Sequence, residues 1–208
     1  MSATKTVVEI DDDVLAAAAE ALGTRTKKDT VNAALREVSA RLRRIKALDE
    51  LGKMADRGDF EEFQGQGHLP GMSAARFLID ASGIFRVLAR PLRDQWVDHL
   101  TSGVIATCPA VELEFLCSAR SLADRLEKQR LYMDLFTWVP MSDNAFSRSE
   151  HVQQLLTEHG QHRSAGAVDL LIAATAEAHK LTVLSADPNF LTIAQVTGQP
   201  VRFVDQTP

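Results

Sequence analysis

Four carboxylates sit where the chain could use them for chemistry. Asp80 closes the apolar run from Arg76 to Ile79, and Glu114 lies just beyond a second run, Val104 to Cys108. Asp169 falls near the start of a helical pattern, and Asp187 shortly follows the apolar run Leu181 to Leu184. Carboxylates that converge at one edge repel one another by several kcal/mol at low dielectric unless a cation joins them. A hard divalent ion such as Mg2+ or Mn2+, which takes oxygen ligands, suits such a set. Taken alone, Asp169 also reads as a helix cap. Glu112 competes with Glu114 for one place, because residues two apart on a helix point about 200° from each other.

The elements that must position these acids alternate. The pattern predicts strands at 76–80, 104–108, 137–139, 181–184 and 201–204, and helices at 83–90, from 109, at 121–136, 144–159, 168–179 and 190–196. Strands alternating with helices imply an α/β domain with a central, mainly parallel sheet. Ligands of such sheets bind beyond the carboxyl ends of the strands, which is where Asp80 and Asp187 fall.

The first 50 residues read differently. Thr4 to Ile10 alternates like a strand, a helix is predicted from about Asp12 to Leu22, and Gly23 stops it. Thr26 with Asp29 resembles a capping box that opens a second helix, along which Val31, Ala34, Leu35, Val38, Leu42, Ile45 and Leu48 form an apolar stripe. A strand and two amphipathic helices cannot bury their own apolar faces, so a dimer is expected. Beyond Leu51 the pattern loosens into a glycine-rich stretch that still carries Phe60 and Phe63.

The 208 residues carry a formal charge of −5, with 45% hydrophobic residues and two cysteines. That composition argues for packed cores and against a disulfide framework, and no apolar run approaches the roughly 20 residues of a membrane span. The acidic N-terminus lacks the basic region of a secretory signal, so a cytoplasmic protein is expected. The charge is segregated: −4 over 1–24, +6 over 25–46, −4 over 47–71 and −3 over 72–208. A basic helical block following a short strand and helix suits nucleic-acid phosphate, although it also reads as a solvated face.

The run TVVEIDDDVLAAAAEALGTRTKKDTVNAALREV resembles the ribbon-helix-helix antitoxins of VapB type. The runs FLIDASGIF, CPAVELEFLCSAR, HRSAGAVDLLIAATAEAH and VLSADPNFLTIA are similar to the PIN-domain ribonuclease toxins of VapC type. Together they imply a PIN-like three-layer α/β domain with a central mainly parallel sheet, preceded by a small ribbon-helix-helix (β-α-α) dimerisation domain. The expected boundaries are 1–50 for the antitoxin-like domain, 51–71 for its tail and linker, and 72–208 for the nuclease-like domain, with Met72 reading like a former chain start.

Carried over, the resemblance assigns Asp80, Glu114, Asp169 and Asp187 as catalytic and metal residues holding Mg2+ or Mn2+. Asn189 stands where the family often has a further Asp, and Ser82 matches its small polar residue. Lys5, Val7 and Glu9 would face DNA bases, and Thr26, Lys27 and Lys28 would grip its backbone. Arg86, Arg90, Arg120 and Arg163 are candidates to guide RNA, while Lys53, Arg57, Phe60 and Phe63 would form an inhibitory tail. The implied activity is a Mg/Mn-dependent endoribonuclease, inhibited in the fused form, acting on transfer-RNA-like RNA. The implied partners are operator DNA and a second copy or higher homo-oligomer, with no membrane. Two other readings stay open: a DNA-binding regulator with a silent PIN-like domain, and a metal-dependent DNase or phosphatase.

Overall fold

The computed structural model describes residues 7–60 and 75–206. The chain divides into two compact units, Met1–Leu42 and Arg43–Pro208.

The first unit holds α1 (Asp12–Leu22) and the opening turns of α2 (Lys27–Asp56). Asp11 caps α1, its Oδ1 accepting from the Asp13 and Val14 amides at 2.9 and 3.1 Å, and the helix stops at Gly23. At the start of α2 the Thr26 hydroxyl accepts from the Asp29 amide at 3.1 Å and donates to Asp29 Oδ2 at 2.6 Å. The cap therefore closes through two side chains, the short aspartate meeting the hydroxyl where a glutamate would reach back to the backbone. A 2.7 Å hydrogen bond between Thr24 and Thr30 fixes the turn between the helices.

The expected strand at 4–10 is not seen among its described residues: 7–10 have no regular structure, and Val7 and Val8 are exposed. The physical reason is the absence of a pairing edge, since a ribbon strand satisfies its N–H and C=O groups only against a second strand. Lys5 lies outside the described residues. Leu35, Val38 and Leu42 of the predicted stripe are likewise exposed.

The second unit is built on a five-stranded sheet, all of whose pairings are parallel: β1 (Phe77–Ile79), β2 (Ile105–Thr107), β3 (Thr137–Trp138), β4 (Thr182–Ser185) and β5 (Val201–Phe203), in the order β3-β2-β1-β4-β5. Helices flank it: α3 (Ala81–Leu88), α4 (Leu92–Ser102), α5 (Pro109–Cys117), α6 (Leu122–Leu135), α7 (Ala145–Glu158), α8 (Ala167–Ala178) and α9 (Asn189–Thr197). The inner strands are short and almost wholly apolar because both faces are covered. Strand order reverses beside β1, between its neighbours β2 and β4, making that edge the switch point where a ligand crevice forms.

Two elements depart from the sequence expectation. α4 was not predicted, because the fragment Leu92–Ser102 mixes charges with few apolar residues; Trp96 and Leu100, four apart and both buried, carry its core face, with Leu92 partly buried against the core. And α2 runs to Asp56, through the Gly52 expected to begin a looser stretch. Leu48, Leu51 and Met54 are buried in the main core, so packing overrides the helix penalty of about 1 kcal/mol for a glycine.

Candidate functional site

Asp80 lies where β1 gives way to α3 and is buried, 4% exposed. Its Oδ1 accepts from the Gly83 amide at 2.7 Å and its Oδ2 from the Ser82 hydroxyl at 2.7 Å, so it caps α3 while facing the switch point. The Ser82 oxygen stands 3.2 Å from Ser185 Oγ and accepts from the Ala186 amide at 3.0 Å, tying the ends of β1 and β4 together. Gly83 is required by the close fit: a Cβ there would lie 2.9 Å from Asp80 Oδ1 and from the Leu184 carbonyl oxygen. Neither Ser185 nor the role of Gly83 was anticipated; the one available signal was Ser185 at the end of β4.

Asp169, also buried, is the third residue of α8, and its Oδ2 accepts from the Gly166 amide at 2.8 Å. Capping and site facing therefore coincide in one residue. Glu114 lies past the middle of α5 rather than near its start, and its Oε2 is buried without a hydrogen-bond partner. Glu112 turns the other way, to accept from Gln129 of α6. The choice left open by spacing thus falls to Glu114 as the inward residue.

The three acids feel one another. Burial, chiefly, with the Asp169 charge adding to it, pushes the Asp80 carboxyl up to about 6, against the pull of its Ser82 and Gly83 hydrogen bonds. Burial first, then the charges of Asp169 and Asp80, pushes Glu114 up to about 9. Asp187 is differently engaged: its Oδ1 accepts from the Asn189 amide at 2.8 Å and its Oδ2 from Asn189 Nδ2 at 3.3 Å, forming a turn into α9. Asn189 is thereby a donor to Asp187.

The donor set suits a hard divalent ion in type, charge and burial, and the orphaned Glu114 Oε2 is the oxygen such an ion would satisfy. Among the described residues no three His, Cys, Asp or Glu side chains stand close enough together to hold a metal ion as they are placed.

The expected guiding arginines are placed variously. Arg86 pairs with Asp205 at 3.1 Å, both ends exposed, and Arg90 and Arg163 are exposed. Arg120 donates to Asp59 Oδ1 at 2.8 Å and to the Gly58 carbonyl at 3.2 Å.

Residues 43–60 pack on this unit as part of it. Leu51 is fully buried, and Arg93 of α4 donates to both oxygens of Asp56 at 2.8–2.9 Å. The guanidinium lies across Gly52, where a Cβ would meet its Nη1 at 2.0 Å. Phe60 is buried between Phe85 and Phe115, with centroids at 5.3 and 5.6 Å. Lys53 instead pairs on its own helix with Asp49 and Glu50 at 2.7 and 3.0 Å, and Arg57 pairs with Asp59 at 3.1 Å, so these cations are held within the segment. Phe63 and Met72 lie outside the described residues. In the first unit, Val7, Glu9 and Lys28 are exposed, Thr26 is the cap of α2, and Lys27 pairs with Asp12 at 2.5 Å.

Residues 77–196 match the family described as PIN domain. The chain belongs to the PIN-domain family. The PIN domain carries Asp80, Glu114, Asp169 and Asp187, and is 36% identical over 129 residues to Ribonuclease VapC21 of Mycobacterium tuberculosis, spanning 62% of this chain and 94% of that protein. It is 37% identical over 134 residues to Ribonuclease VapC51 of the same organism, spanning 63% and 94%. Residues 4–51 match the family described as bacterial antitoxin of type II TA system, VapB. Antitoxin VapB21 of Mycobacterium tuberculosis is 55% identical over 53 residues, which are 26% of this chain and 57% of that protein. The chain thus joins a VapB-type segment to a VapC-type PIN domain. Among solved structures, a DNA-bound VapBC from Salmonella typhimurium is 17% identical with a TM-score of 0.47, covering 62% of this chain and 98% of that one. No helix among the described residues is long and apolar enough to cross a membrane.

Proposed function

We propose that the PIN domain is a divalent-metal-dependent endoribonuclease held in check by the antitoxin-type segment of the same chain. The observation that carries this reading is the group of acids at the β1/β4 switch point, buried together with Glu114 Oε2 unsatisfied. Asp80, Glu114 and Asp169 would hold Mg2+ or Mn2+, with Asp187 in support. When bound, the ion polarises a phosphodiester and lowers the pKa of a water molecule. The chain's own contribution is to hold the acids in place: Ser82 and the Gly83 amide orient Asp80, the Gly166 amide orients Asp169, and burial keeps bulk water away from Glu114. Arg86, Arg90 and Arg163 would draw the RNA backbone past the acidic edge. The named ribonuclease relatives support RNA as substrate, and transfer-RNA-like molecules are its leading class.

The N-terminal unit would dimerise in the cytoplasm through its exposed apolar stripe and bind operator DNA with a strand formed on pairing. That order of events is consistent with residues 7–10 lacking a strand in a single chain. The domain limits at 50/51 and 71/72 belong to the same reading.

The test uses the full chain with Mn2+ and a pool of transfer RNA. The unaltered protein is expected to cut slowly, Met54→Asp combined with Phe60→Asp to cut faster, and the same variant carrying Asp80→Ala not at all. Cleavage indifferent to Asp80→Ala would overturn the site, and equal rates with and without Met54→Asp and Phe60→Asp would overturn inhibition by the segment. Turnover of DNA in place of RNA would favour the DNase reading.

A further inference from the structure

We infer that Gly58, Asp59 and Phe60 occupy a nucleotide subsite of the PIN domain, with the Asp59 carboxylate in the place of an RNA phosphate and the Phe60 ring in the place of a base. The inference rests on the ribonuclease reading and adds to it a substrate-binding face away from the carboxylates.

The Arg120 guanidinium presents two N–H groups to the segment, one to Asp59 Oδ1 at 2.8 Å and one to the Gly58 carbonyl at 3.2 Å. A planar fork holding two oxygens is how arginine takes a phosphate. One residue further on, the Phe60 ring tilts against Phe85 and Phe115, and Lys128 Nζ stands 4.9 Å from its centroid. Aromatic rings and a cation around one planar ring are the elements that hold an unpaired base. Lys128 is itself fully buried, donating to the Ser118 carbonyl at 2.9 Å and pairing with Asp124 at 3.1 Å, so its charge is fixed in position before any ligand arrives.

Docking of the segment accounts for the burial of Phe60 in the core but not for the Arg120 pair. Leu51 and Met54 already supply apolar burial, and a pair whose arginine is 64% exposed, as Arg120 is, adds little stability. The placement relative to the acids is more telling. Phe85 lies on α3, the helix capped by Asp80, and Phe115 directly follows Glu114 on α5. The aromatic platform is therefore carried by the same two helices as Asp80 and Glu114.

The experiment measures binding without chemistry. The full chain in EDTA is titrated against a fluorescein-labelled hexauridylate carrying 2′-O-methyl groups, with anisotropy as the readout. Asp59→Asn combined with Phe60→Ala, which vacates the subsite, is expected to bind about tenfold tighter than the unaltered chain, and adding Arg120→Ala to return it to within about twofold. Equal affinity for the vacated and unaltered chains, or indifference to Arg120→Ala, overturns the subsite. If the double variant loses its cooperative thermal melt, Asp59→Asn alone decides: about a twofold gain supports the inference and none overturns it. The same variants are then given Mn2+ and a pool of transfer RNA. Arg120-dependent binding without cleavage overturns the ribonuclease reading and leaves the subsite standing, whereas cleavage without Arg120-dependent binding does the reverse.

Discussion

Two groups of carboxylates in the second unit are treated in opposite ways. Asp56 and Asp59, in the segment that packs on the PIN domain, are each matched to a guanidinium, Arg93 and Arg120, at 2.8–2.9 Å. Asp80 and Asp169 are more deeply buried, and Asp80 and Glu114 feel burial first, then the charges of neighbouring acids, with neutral donors only at Asp80. The chain places arginines on Asp56 and Asp59, whereas Asp80 and Glu114 are held at a cost by burial and by the charge of neighbouring acids. Structural acids are neutralised by the fold itself, and site acids are left costly until a ligand arrives.

The comparison breaks most readily at Glu114. Glu114→Gln keeps the shape of the side chain and removes the charge. It is expected to lower RNA cleavage by about 10²- to 10³-fold in a Mn2+ assay. In EDTA at pH 8 the same variant should melt at a higher temperature than the unaltered chain, because the cost of protonating Glu114 on folding has gone. A lower melting temperature would make Glu114 a structural residue.

The next effect is in pH. Both acids have folded pKa values above their ordinary ones, so folding favours their protonated forms. The stability they allow is fully present below the ordinary carboxylate range. It is lost as pH rises from about 4 through the folded values of about 6 and about 9. A divalent ion binds the deprotonated forms and reverses that loss. The rise in melting temperature produced by a fixed Mn2+ concentration should therefore be larger at pH 8 than at pH 6. An equal rise at both would place the ion elsewhere.

On the matched side, Asp56→Asn should cost about 1–2 kcal/mol in a denaturant titration. It leaves the nearly buried Arg93 without its partner, while water reaching the half-exposed position limits the loss. A larger expense would mean that the segment is held mainly by this pair and not by Leu51, Met54 and Phe60.

The legible part of this molecule is the part that repeats. Carboxylates at strand ends and the alternation of strands and helices are local patterns, and the places of Asp80 at a strand end and Asp169 at a helix start were readable from them, whereas spacing left Glu112 and Glu114 open. Shortfalls came wherever a partner lies far along the chain. Arg93 pairs across 37 residues with Asp56, Arg120 across 61 with Asp59, and Ser82 across 103 with Ser185. Lys53 and Arg57 are the exception, held by acids two to four residues away that the sequence already places within reach. The strand at 4–10 had the right alternation, but a strand is defined by its partner, and periodicity carries no information about whether one is present.

The smallest effect is expected at Asp205, and it tests the comparison from below. Asp205 pairs with Arg86 at 3.1 Å as Asp56 does with Arg93, but both ends are more than half exposed. Two long charged groups held together in water gain little, so Asp205→Asn should change stability by less than about 0.5 kcal/mol. Its effect on RNA should be different in kind. Releasing the Arg86 guanidinium from a competing carboxylate leaves a free cation, which should strengthen oligonucleotide binding at low salt and lose that advantage at high salt. A measurable loss of stability would show that exposed pairs in this fold are structural after all. That result would weaken the distinction between acids neutralised by the chain and acids kept for an ion.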